Sequence, residues 1–180
     1  VIEGLRSTFA WRAARAAAAA RAPRPLPGRP ANRRVLLLLP DDEPGQRATW
    51  DLVSALDLVD RQVAPVVLAE RILYAPDRFA GAVVVIDGAA RDWRRLPRRD
   101  VARAVWGWKP HVALSLADPD DLGAAYLAGA SPAAVRVGRH RGEHEPFFDV
   151  MVAGTDDAAE AAGALHRLLA QFDPPVLPLR

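Results

Sequence analysis

Arg33-Arg-Val-Leu-Leu-Leu-Leu39 carries five apolar residues in a row and stops at Pro40. A strand with one wet face alternates apolar and polar residues. A short run that is apolar at every position is instead buried on both faces, as in the middle of a parallel sheet. Ala82-Val-Val-Val-Ile86 and His111-Val-Ala-Leu-Ser-Leu116 are expected as further strands. Weaker strands are expected at Val63–Leu68, Val135–Gly138 and Phe147–Val152. Pro65 cannot donate to a ladder, so it predicts a strand start or an edge.

Helical stretches separate these runs. Residues 46–60 present Trp50, Val53, Leu56 and Leu58, and further helices are expected over 98–106, 118–128 and 156–171. Pro119 beside Asp118 and Asp120 suits a helix start, as does Thr155 followed by Asp156 and Asp157. Strand alternating with helix predicts right-handed crossovers and a mostly parallel sheet covered on both faces. The expected fold class is α/β, a three-layer Rossmann-like sandwich with Leu36, Leu38, Val84, Ile86, Val112 and Leu114 buried.

Upstream of this body, residues 3–22 read as a helix rich in alanine and arginine. Leu5, Phe9, Ala13, Ala16 and Ala20 share one face at helical spacing. Pro23–Pro30 reads as an extended spacer. The chain thus divides into a basic helix and Pro-rich linker (1–32), one α/β domain (33–172) and a Pro-rich tail (173–180). The net charge of +2 is unevenly spread. Residues 1–34 hold eight arginines against Glu3, a net of +7, and the remaining sixteen basic and twenty-one acidic residues give −5. A basic arm of this kind suits packing against the body, a polyanion contact (nucleic acid or membrane surface) through Arg6, Arg12, Arg15 and Arg21, or targeting; packing is the plainest reading.

Composition excludes several classes. With no cysteine there is no disulfide framework and no thiolate chemistry, and a cytoplasmic location is expected. No apolar run reaches the roughly 18–20 residues that a membrane-spanning helix needs. His140-Arg-Gly-Glu-His144 matches an inverted zinc-peptidase signature, which requires both imidazoles on one helical face. Gly138, Gly142 and Pro146 place the segment in a loop, so no metal is expected. Gly-rich phosphate loops and a G-x-S-x-G elbow are missing, so no cofactor and no defined catalysis is expected. Trp93, Trp106 and Trp108 lie among arginines and read as buried rings with snorkelling cations, the alternative being a surface that stacks bases or sugars.

Ligands of open parallel sheets bind outside the carboxyl ends of the strands. Those ends carry Asp41 and Asp42 after the first strand and Asp87 after the third. Ser115 and Asp118 follow the fourth, and Arg139 and His140 follow the fifth. Acids with one Arg and one His suit a hydroxyl-rich ligand better than a phosphate.

Three late segments, Leu122–Ser131, Ala134-Val-Arg-Val-Gly-Arg-His140 and Glu145-Pro-Phe-Phe-Asp-Val-Met151, resemble a bacterial domain-of-unknown-function family. That family pattern joins a basic N-terminal helix and a short Rossmann-like body to an "R-V-G" strand, an aromatic pair and "D-L-M". More distantly the chain is similar to the N-terminal half of heptosyltransferase-like glycosyltransferases, which implies the fold but not the activity. The expected function is a non-catalytic cytoplasmic binding or interaction module with an unidentified protein partner. The alternatives are a vestigial glycosyltransferase-like site for a hydroxyl-rich ligand and a polyanion contact through the arm.

Overall fold

The computed structural model describes residues 2–21, 34–56, 58, 62–140, 146–153 and 157–172. The Pro23–Pro30 spacer, Thr155, His144 and the Pro-rich tail lie outside them. In chain order the elements are α1 (Ile2–Ala19), β1 (Val35–Leu39), α2 (Glu43–Ala55), β2 (Val63–Val67), α3 (Asp77–Ala80) and β3 (Val84–Val85). There follow α4 (Arg99–Gly107), β4 (Val112–Ser115), α5 (Leu122–Gly129), β5 (Val135–Arg139), β6 (Val150–Val152) and α6 (Ala158–Phe172). The strands form one sheet in the order β3-β2-β1-β4-β5-β6, and every pairing is parallel. The order reverses between β1 and β4, as in a doubly wound Rossmann-like α/β fold.

All five residues of β1 are buried because the strand is central and both sheet faces are covered. Successive side chains point to opposite faces. Leu36 and Leu38 therefore join one core with α1, α4 and α5, while Leu37 and Leu39 join another with α2 and α6. Asp42 starts α2 as its N-cap, accepting from Gly45 N at 2.7 Å, with Pro44 in the first turn. The helix thus begins three residues earlier than its apolar pattern suggests.

The edges depart from expectation. β3 is the last strand on its side and only two residues long, so Val84 is 43% exposed rather than buried, and Val85 is also exposed; Ile86, just beyond, is buried. Val112 is only partly buried. Pro65 is neither first in its strand nor on the edge strand. β3 pairs with β2 only at Val66 and Val67, which leaves Pro65 with a neighbour on one side alone.

Expected as strand, Phe147 and Phe148 instead turn into the core, and β6 starts at Val150. Two glycines make room for the rings. A Cβ on Gly129 would stand 2.6 Å from the Phe147 ring, and one on Gly138 would stand 2.6 Å from that of Phe148. The next residue, Asp149, accepts from Arg136 Nη2 at 2.7 Å, Arg136 Nε at 3.0 Å and Arg136 N at 2.9 Å. Arg136 is 6% exposed and also donates to Gly129 O at 3.1 Å. Two of the three late sequence segments are therefore halves of one structural lock, with Arg136 and Gly138 of β5 receiving Asp149 and Phe148.

Helix α1 lies on the body. Its buried stripe is Ala10, Ala14 and Ala18, packed in the same core as α5, while Leu5, Phe9, Ala16 and Ala20 face outward. This reverses the face expected from residue size. Small side chains let α1 approach closely, and Trp11 reaches past them to Phe147 at 5.6 Å. At its end Arg21 donates to Ala133 O at 2.9 Å and lies 3.4 Å from Asp149 Oδ1.

Replacing Ala14 by Leu forces about three extra heavy atoms into a filled seam and is expected to cost about 1–3 kcal/mol, whereas Ala16→Leu on the outer face is near neutral. Urea unfolding of both variants checks this. Asp149 lies below the ordinary carboxylate range, chiefly through the Arg136 hydrogen bond. A depressed folded pKa means that the stabilisation is complete above the unfolded value of about 4 and drains away as pH falls through the folded one. Asp149→Asn is expected to cost about 1–3 kcal/mol at neutral pH by leaving Arg136 under-satisfied. It should also flatten the loss of stability between neutral and acid pH; unfolding midpoints measured down the acid limb report both effects.

Candidate functional site

The carboxyl edge of the sheet disperses most of the expected site residues. Asp42 caps α2, and Asp41 beside it is exposed. Asp87 turns back to accept from Ala90 N at 2.9 Å. His140 is exposed, and its backbone N–H pairs with Val152 O. Ser115, Asp118 and Arg139 do come together with Asp121 in a pocket between the β4–α5 loop and β5. This pocket has room for about one water molecule. Asp118 is further used locally, accepting from Asp120 N at 2.7 Å, and Arg139 donates to Ala117 O at 3.5 Å. Among the described residues no group of three His, Asp or Glu side chains has the arrangement of a metal site. Of the H-x-x-E-H segment only His140 is described.

A larger opening shares Asp121 with this pocket. It is an open cleft enclosing about 720 Å³, mouth included, between the start of α1, the β3–α4 loop and the start of α5. Arg6 comes from α1 and Arg91, Arg94 and Arg95 from the loop. The loop is shaped by Asp92, which accepts from Arg94 N, Arg94 Nε and Leu96 N, and Arg95 takes a left-handed backbone with φ 63°. On the α5 side Asp121 caps the helix, accepting from Gly123 N at 2.8 Å and Ala124 N at 3.2 Å. Its pKa is raised, because burial outweighs those hydrogen bonds and the nearby Arg91.

Beside this cleft three large apolar side chains are exposed. Trp93, expected inside, is 62% exposed at the tip of the loop, and its ring meets Phe9 of α1 edge-on at 6.1 Å. Leu5 is 56% and Phe9 48% exposed. Trp106 is the partly buried ring, donating to Leu127 O at 3.0 Å, and Trp108 is partly buried under Arg34. Of the arm arginines, Arg12 and Arg15 are exposed, Arg6 faces the cleft and Arg21 is tied to Ala133. Residue type predicts neither the aromatic surface nor the Arg91–Arg95 wall. The signal lies in the sequence as Trp93 amid four nearby arginines in a segment with no strand or helix pattern.

Searches for a matching protein family, curated protein or solved structure return none.

Asp121→Asn keeps the capping oxygen and removes a charge that burial disfavours, so stability at neutral pH is expected to hold or rise. Asp121→Ala loses the cap and is expected to cost about 1 kcal/mol. A raised folded pKa also means that wild type loses stability as pH climbs through it, a slope absent from Asp121→Asn. Chemical denaturation across the weakly acidic range tests all three statements.

Proposed function

We propose that the protein is a non-catalytic, cytoplasmic α/β interaction module that docks an acidic partner protein on the outer face of α1 and the Trp93 loop. The observation that carries this reading is the exposed cluster of Leu5, Phe9 and Trp93. A folded chain has no internal reason to leave two aromatics and a leucine side by side in water, and such clusters rimmed by polar groups mark contact sites. Trp and Arg are also the residue types that dominate binding energy at interfaces.

Charge names the partner's chemistry. Arg12 and Arg15 are exposed on α1, Arg94 lies 5.9 Å over the Trp93 ring, and Arg95 is exposed beside it. A basic rim favours an acidic surface and speeds its approach. It disfavours a second copy, because a two-fold contact would set this rim against itself. The hydroxyl-rich-ligand alternative has Ser115, Asp118 and Arg139 in its favour, but their shared pocket holds about one water.

A random peptide library displayed against the full chain tests the proposal. Selected peptides are expected to combine Asp or Glu with apolar residues and to bind about tenfold or more weakly to Trp93→Ala or Phe9→Ala, with Ser115→Ala unchanged. Peptides without acids, or binding indifferent to Trp93→Ala, overturn it. So does salt-steep binding to DNA or anionic vesicles with no peptide selected, which is the signature of a polyanion contact.

A further inference from the structure

The docking face continues into the arginine cleft, because Arg94 and Arg95 border both Trp93 and the cleft wall. Resting on the interaction-module reading, the next question is which group of the partner enters that cleft. Its donors are poorly used. Nε of Arg6 and Nε of Arg91 are buried and donate to nothing among the described residues. A buried donor without an acceptor costs free energy until one arrives. Arg91 is held in place by its Nη2, which donates to Leu68 O, so its guanidinium is oriented before any ligand binds.

One carboxylate already stands at the mouth. Glu3 lies 3.6 Å from Arg6 Nη1 and 3.7 Å from Arg95 Nη2, with its side chain 70% exposed. Pairs so long and so wet contribute little. Glu3 is thus a weakly held acid spanning two guanidinium groups, and it lies on the chain's own first turn of helix.

We infer that the cleft receives a single carboxylate of the acidic partner, which displaces Glu3 from Arg6 and Arg95 while the partner's apolar side chains cover Leu5, Phe9 and Trp93. A carboxylate fits better than a phosphate for a reason of charge. Four arginines are countered by Asp120 and Asp121 on the same walls and by Asp92, which pairs with Arg94; once Glu3 is displaced this leaves a formal excess of one positive charge, which a monoanion balances and a dianion exceeds. Planar guanidinium groups also match a carboxylate in two-point contact.

The test is a ¹H–¹⁵N titration of the full chain that follows the Trp93 indole and the Arg6 and Arg91 Nε–H resonances. The probes are an end-blocked peptide of alternating Glu and Leu, its Gln-Leu counterpart, that counterpart with a free C-terminal carboxylate, and inorganic phosphate. The Glu-Leu peptide is expected to move all three resonances, and the Gln-Leu peptide to move Trp93 alone. The free C-terminus, if it restores the arginine shifts, identifies a terminal rather than a side-chain carboxylate as an equally good source. Glu3→Gln removes the competitor and is expected to tighten Glu-Leu binding by about two- to fivefold, the worth of a weak exposed pair, while Arg95→Ala loosens it. If Trp93 moves with no peptide, the docking face itself is wrong. If Trp93 moves while the arginines stay still, if Gln-Leu moves the arginines equally, if Glu3→Gln does not tighten binding, or if phosphate binds more tightly than the peptide, the carboxylate assignment alone is overturned.

Discussion

Asp149 neutralises a guanidinium that has almost no access to water, and much of the second half of the chain is arranged around that necessity. Left unpaired, Arg136 would carry the cost of a charge in a medium that solvates it poorly. Paired, it links β5 to the turn before β6, and through Gly129 O it links both to the end of α5. Arg21 brings the end of α1 to the same carboxylate. The aromatic pair just before Asp149 is seated by this lock, with glycine on β5 and on α5 leaving the space that the rings fill. The Arg-Val-Gly and Phe-Phe-Asp segments thus owe their residue types to packing and charge balance.

Because α1 is anchored at one end by Arg21 and along its length by alanines, it is an outer layer of the sandwich and not a loose appendage. One helix then does two jobs on two sides. The inner side is a seam of methyl groups flanked by Trp11, and the outer side carries Leu5, Phe9, Arg12 and Arg15. The loop that bears Trp93 is stiffened from within by Asp92, so the aromatic cluster is presented from two supported elements. Preformed surfaces lose less entropy on binding than surfaces that must be ordered first.

The sequence makes the sheet legible because burial on two faces leaves an uninterrupted apolar run, as at Val35–Leu39. It also marks a helix start near Asp118, though the true α5 cap is Asp121, three residues on, because Asp118 is spent on a turn to Asp120. What it hides follows from contrast. In a helix made almost wholly of alanine and arginine, Leu5 and Phe9 dominate any reading by size, yet close packing on α5 selects the smallest side chains. Edge position is equally hidden, since Ala82–Ile86 looks as buried as a central strand until strand order is known. The strand-end rule locates Ser115, Asp118 and Arg139 together. It misses Asp42 and Asp87 because a carboxylate beside a helix start or a tight turn finds backbone N–H groups before it meets any ligand.

The brevity of β3 has a consequence for the protein in a crowded solution. A parallel sheet that is open at its side offers a row of unpaired backbone groups to any extended chain that drifts past, and valine side chains make such a row more attractive. Here the outermost strand extends over Val84 and Val85 only, bounded by Gly81 before it and by the Asp87-Gly88 turn after it. Two residues give a passing strand too little ladder to hold. The molecule thus guards against accretion into sheet-joined aggregates by ending its sheet almost as soon as the last strand begins.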